Sequence, residues 1–202
     1  MYRGSGPKIV PLIIAVLVVA LIIAALVSVG RMLFTGGGSG DSAAPTEDSG
    51  TLRDAVVNTG DARAVRLTVR GPIVADENFR SYQITVAPAF RTYTLYSGYL
   101  DQVVDERTFT NNKQAYEEFV YALDKAAIGK TRDADDADFR GVCATQGIAF
   151  KFDALNDNDV KQSAWTSTCK GSKGTMGSNI AQIHALFGNQ IPNFKAQFNK
   201  IY

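Results

Sequence analysis

Residues 9–30 are 22 consecutive residues without a charge, and fifteen of them are Ile, Leu or Val. At about 1.5 Å of rise per residue, a helix of that length covers roughly 33 Å, matching a hydrocarbon core about 30 Å thick. Summed over the fifteen, insertion gains roughly 5 to 9 kcal/mol. Lipid offers backbone N–H and C=O groups no partner, so a segment of this kind crosses as a helix. The sequence therefore predicts a single transmembrane helix at 9–30. Arg3, Lys8 and the amino terminus precede it, whereas Arg31 is followed by no charge until Asp41, Glu47 and Asp48. The more positive flank stays in the cytoplasm, so residues 1–8 are expected inside and the rest outside, as in a signal-anchor protein. A cleaved signal peptide is the alternative, because Ser28-Val29-Gly30 has the small-x-small form of a cleavage site. Its apolar core would be shorter, about 7 to 15 residues. No Cys lies near the span, so a lipoprotein anchor is not indicated.

Residues 31–50 read as a tether rich in Gly, Ser and acids. The last sixteen of them have a root-mean-square reach of roughly 20 to 24 Å. Such a tether keeps a domain near the bilayer yet free to reorient, which suits a module that meets partners. Residues 51–202 are long enough for one domain with a real core. With 46% hydrophobic and 20% charged residues overall, wholesale disorder is excluded. Three of the 21 Lys and Arg and three of the 20 Asp and Glu precede residue 51, so the domain is nearly neutral. A nucleic-acid binder needs a basic excess to neutralise phosphate, and none is present.

Alternation marks the first half of the domain. Val65, Leu67 and Val69 face one way in a strand over 63–70, and Tyr82, Ile84 and Val86 repeat the pattern over 80–86. Further strands are expected at 90–96 and 102–109, giving an antiparallel meander. The period then changes. Tyr116, Phe119, Val120 and Leu123 form a helical stripe, with Asn111 or Asn112 as cap, Gln114 three residues after Asn111, and Gly129 as the stop. Ile148, Phe150 and Phe152 alternate again. Residues 156–159 (NDND) supply turn chemistry, and 160–168 returns as a strand carrying Trp165. After a loop at 171–177, Ser178 or Asn179 caps a helix bearing Ile180, Ile183 and Phe187. Pro192 opens a last helix with Phe194, Phe198 and Ile201 as its stripe. The order implies an α+β domain, one antiparallel sheet with helices packed on one face.

Two cysteines in a domain placed outside the cytoplasm favour a disulfide, Cys143–Cys169, tying the ends of the second hairpin. Closing that loop contributes roughly 3.5 kcal/mol through chain entropy. Two Cys and a distant His184 do not make a tetrahedral set, so no metal site and no cofactor are expected.

Other motifs fall short of known chemistry. The acidic run 133–138 (DADDAD) lacks the EF-hand glycine and the spacing of its donors, so it reads as a solvated loop. Residues 170–175 (KGSKGT) precede a helix, whose amino terminus attracts anions, but do not match a Walker A loop. His184 is the only histidine and lies beside the apolar face of its helix, with no Gly-x-Ser-x-Gly elbow in the chain, so it reads as a packing residue. Tyr93, Tyr96 and Tyr99 cluster in one strand and its exit. They suit either a recognition surface, where Tyr is favoured, or a sheet face covered by helices. The absence of an Asn-x-Ser/Thr sequon fits a bacterial envelope protein.

The chain resembles a loose group of uncharacterised bacterial single-pass membrane-anchored proteins with a small disulfide-bonded extracytoplasmic domain. The resemblance rests on Cys143 with Gly147-Ile148-Ala149-Phe150, on Trp165-Thr166-Ser167-Thr168-Cys169, and on Leu186-Phe187 before Gln190-Ile191-Pro192. That group carries no known activity. In element order alone the domain is similar to emfourin-type inhibitors of bacterial metalloproteases, and no functional residue transfers from them. The expectation is a non-enzymatic binding module, with the lipid bilayer as partner through 9–30 and a protein partner in the envelope or at the cell surface. The alternatives are an accessory subunit of an envelope complex, in which the membrane helix itself makes contacts, and an envelope hydrolase.

Overall fold

The computed structural model describes residues 50–133, 138–143 and 146–198. The expected membrane span, its cytoplasmic flank, all of the tether but Gly50 and the centre of the acidic run therefore lie outside the described residues. No helix among those described is long and apolar enough to cross a membrane.

A short helix that the sequence pattern did not announce, α1 (Leu52–Val57), opens the domain. It is held by a capping box: the Thr51 hydroxyl accepts from Asp54 N, and the Asp54 carboxylate accepts from Thr51 N. Strands β1 (Arg63–Arg70), β2 (Arg80–Val86), β3 (Phe90–Ser97) and β4 (Gln102–Thr110) follow as the expected antiparallel meander. Helix α2 (Lys113–Lys125) interrupts them. Strands β5 (Ala149–Asn156) and β6 (Asp159–Ser167) form a hairpin, and helices α3 (Ile180–Gly188) and α4 (Phe194–Phe198) close the described chain. The six strands make one antiparallel sheet in the order β4-β3-β2-β1-β5-β6. Strand β5 pairs along the whole of β1, so the first strand of the domain lies inside the sheet.

One face of the sheet carries Val65, Leu67, Val69, Tyr82, Ile84, Val86, Tyr93, Phe150 and Phe152. These residues share a single buried cluster with Leu52 and Val56 of α1, Tyr116, Phe119 and Leu123 of α2, and Ile183 and Phe187 of α3. The helices thus cover one face, as the α+β expectation required. Each strand supplies alternate residues to this layer, because successive side chains point to opposite sides of the pleat.

At the boundaries of α2 the structure selects one of the two expected caps and moves the expected stop, both for local reasons. Asn112, not Asn111, caps α2, its Oδ1 accepting from Ala115 N at 2.9 Å. Asn111 instead donates through Nδ2 to Ala87 O at 2.7 Å and so ties the β2–β3 turn. Helix α2 ends at Lys125 rather than near Gly129. Ala127 takes the left-handed conformation (φ 58°) and Ile128 N bonds back to Leu123 O, a Schellman closure. Gly129 serves close packing: a Cβ there would lie 2.5 Å from Cβ of Arg53 on α1.

The β5–β6 connection is the two-residue turn Asp157-Asn158. Both residues have positive φ (50° and 72°), as a type I′ hairpin requires. Beyond β6 the chain runs back along that strand's outer edge. Met176 N donates to Trp165 O, Trp165 N to Thr175 Oγ1, and Thr166 Oγ1 to Lys173 O. Gly174, at φ 64°, lies flat against the Trp165 indole, where a Cβ would come within 2.6 Å of the ring. The Cys143–Cys169 disulfide is present, with Cα atoms 5.6 Å apart, and anchors the start of this return segment to the chain entering β5.

Candidate recognition surface

The sheet's second face carries no helix among the described residues. Strand register arranges its side chains in three rows across the sheet. The first runs Ser163, Asp153, Arg66, Thr85, Thr92, Thr108, and the second Trp165, Lys151, Thr68, Gln83, Thr94, Glu106. The third runs Ser167, Ala149, Arg70, Ser81, Tyr96, Val103. The face is mostly polar because these are the outward positions of each alternating strand.

Asp153 organises its middle. The residue is 1% exposed, yet its carboxylate accepts from Arg66 Nη2 (2.8 Å), Lys151 Nζ (3.0 Å) and Ser163 Oγ (2.9 Å). A carboxylate so enclosed needs such partners to offset its lost hydration. Toward β4, Tyr96 donates to Gln83 Oε1 and the Thr92 and Thr108 hydroxyls bond each other. Burial raises the Tyr96 pKa further above the neutral range, where a phenol is already a donor.

One end of this face turns aromatic. Phe79 and Tyr99 stack with ring centroids 4.2 Å apart. Tyr99 is fixed in place: its hydroxyl donates to Val74 O and accepts from Val74 N, and its backbone N donates to Asp76 Oδ1. The Arg70 guanidinium lies 5.0 Å from the centroid of Phe79 and 5.5 Å from that of Phe139. Between these groups is a cavity of about 280 Å³, walled also by Ile73, Arg140, Val142 and Ala149. Among the described residues, six of the nine large exposed apolar residues lie around its mouth and along β4, whereas Phe90, Tyr121 and Val160 are scattered elsewhere. Ile73, Val74, Tyr99, Val103 and Val104 are each about 40 to 60% exposed, and Leu100, at the β3–β4 turn, is 95% exposed. Exposed apolar groups become informative when they cluster, as they do here.

The sequence-predicted groups separate accordingly. Of the tyrosine cluster, Tyr93 enters the core, with its pKa pushed up to about 12 by burial, whereas Tyr96 and Tyr99 belong to the open face and its rim. His184 is a packing residue on the helix-covered side. Its Nε2 lies 2.6 Å from the Tyr82 hydroxyl, its ring meets Phe150 and Phe194 edge-on, and burial lowers its pKa. The 170–175 loop is strapped to β6, and the first free N–H groups of α3 are engaged by Asn179 Oδ1. Among the described residues no three of His, Cys, Asp and Glu are grouped to hold a metal ion. Arg70, Phe79 and Phe139 were not singled out by the sequence, because the three meet only through the fold. The alternation of β1 is the one signal that sets Arg70 on the polar side.

No protein-family model matches the chain, and no curated protein is similar to it at a significant level.

Proposed function

We propose that the chain is a non-enzymatic binding module, held outside the cytoplasm by a membrane-spanning helix at 9–30 and presented on a tether. The observation that carries this reading is the uncovered sheet face, polar and pre-organised at its centre and apolar at its β3–β4 end. A single-layer face needs no further partner for stability when its acids are already satisfied, as Asp153 is. The exposed Tyr and aliphatic groups at its rim match the composition that interfaces favour. The disulfide supports an oxidising compartment, and the uncharged run supports the anchor. The partner class is a protein of the envelope or cell surface.

The test is crosslinking in intact cells followed by capture of the full chain. The wild type is compared with a Thr85→Arg, Thr92→Arg variant that crowds the middle of the open face. The reading expects a recovered partner that the variant loses while its melting temperature is kept. Recovery of no partner, or equal recovery by both chains, overturns it. For placement, carbonate washing should leave the protein in the membrane, and protease added outside should digest the part after Gly50.

A further inference from the structure

Arg66, Arg80, Arg91, Arg132 and Arg140, on or beside the sheet, each donate to a protein oxygen. Arg70 donates to none among the described residues, although it is half-buried between aromatic groups. The side chain lines the cavity, so its donors remain reachable from there. Asp138 feels its charge, but that carboxylate is engaged by Arg140, at 2.7 Å to Nε and 2.5 Å to Nη2. A guanidinium flanked by rings, which offer it no hydrogen-bond acceptor atom, keeps its N–H fork for a planar acceptor. Apolar walls from Ile73, Phe79, Phe139 and Val142 enclose the space in front of it, and about 280 Å³ holds roughly one large side chain.

We propose that this cavity binds an apolar carboxylate, with Arg70 taking the carboxylate oxygens bidentately and the aromatic walls taking the adjoining side chain. The ligand class includes the carboxyl terminus of a polypeptide ending in a large apolar residue, and free aryl or alkyl carboxylates of similar size. A phosphate fits less well, because a dianion needs more cationic donors than one uncommitted guanidinium supplies. The proposal rests on the open-face reading and deepens it by assigning a ligand chemistry to one end of that face.

The experiment uses the full chain in nanodiscs, with binding followed by calorimetry. The probes are N-acetylphenylalanine, the peptide acetyl-Ala-Ala-Ala-Phe with a free carboxylate, the same peptide amidated, and phenyl phosphate. The free-acid forms should bind at least tenfold more tightly than the amide, and Arg70→Met should abolish that preference. Arg70→Lys, which keeps the charge but not the fork, should cost about tenfold and covers the case in which Arg70→Met does not fold. Tighter binding of the peptide than of N-acetylphenylalanine assigns the site to polypeptide termini; equal binding assigns it to small carboxylates, and both support the proposal. Equal affinity for acid and amide, unchanged affinity in Arg70→Lys, preference for phenyl phosphate, or no binding of any probe overturns it. Thr85→Arg, Thr92→Arg serves as the control. If it loses the crosslinked partner but still binds the free acid, the face and the cavity act separately. If the cavity probes fail while the partner is retained, only the carboxylate proposal falls.

Discussion

Burial alone lowers the His184 pKa, and the sign of that shift fixes how stability responds to acid. The unfolded chain then binds the proton more readily than the folded one. Stability is therefore complete above the ordinary histidine value of about 6.5 and is lost as pH falls from there toward the folded value. Between pH 6.5 and 5 the melting temperature of the wild type should drop more than that of His184→Gln, a difference read from paired thermal scans. The lowered carboxylates Asp54, Asp124 and Asp138 stabilise the fold throughout this range, because their contribution is present above the ordinary carboxylate value of about 4 and is lost only as pH falls below it. Asp153→Ala should destabilise by about 2 kcal/mol in urea titration. That lies below the figure for a fully enclosed pair, because Arg66 and Lys151 keep a quarter to a third of their exposure. Gly174→Ala combines a left-handed φ with a clash on Trp165, so a loss of about 2 kcal/mol or more is expected by the same measurement.

At the scale of elements, the strands were legible because Val65-x-Leu67-x-Val69 and Tyr82-x-Ile84-x-Val86 repeat with period two and the core lies on one side. The stripe of α2 was equally plain. Helix α1 was not, since six residues give fewer than two turns and its capping box uses Asp54 where Glu or Gln is the usual signal. The pairing of β5 with β1 was also hidden, because register between strands far apart in the chain leaves no local trace. The same reason concealed the cavity: Phe79 and Phe139 lie 9 and 69 positions from Arg70. The cysteine pairing was readable from the even count, since two cysteines admit one pairing. Replacing both cysteines with Ser should cost about 3.5 kcal/mol for a separation of 26, observed as a lower urea midpoint with an unchanged native spectrum.

For the molecule as a whole, the two sheet edges are managed differently. The outer edge of β6 is covered at Trp165, Thr166 and Ser167 by the segment reaching Met176. The outer edge of β4 has no protein strand beside it among the described residues. It carries Asp105, Glu106 and Arg107 and an irregular register opposite Leu95 and Tyr96, features that discourage pairing with another chain. Replacing Asp105 and Glu106 with Thr should therefore shift the protein toward association, visible by light scattering at concentrations where the wild type does not associate.

The position of β1 between β2 and β5 has a last consequence. The meander with its helix and the disulfide-bearing hairpin are successive lengths of one polypeptide, joined by a single connection and zipped together along eight register pairs. The disulfide lies wholly within the second length. Severing the backbone after Asp133 would thus yield two pieces with no covalent tie, each carrying one half of the seam, and co-expressed halves should reassemble through it.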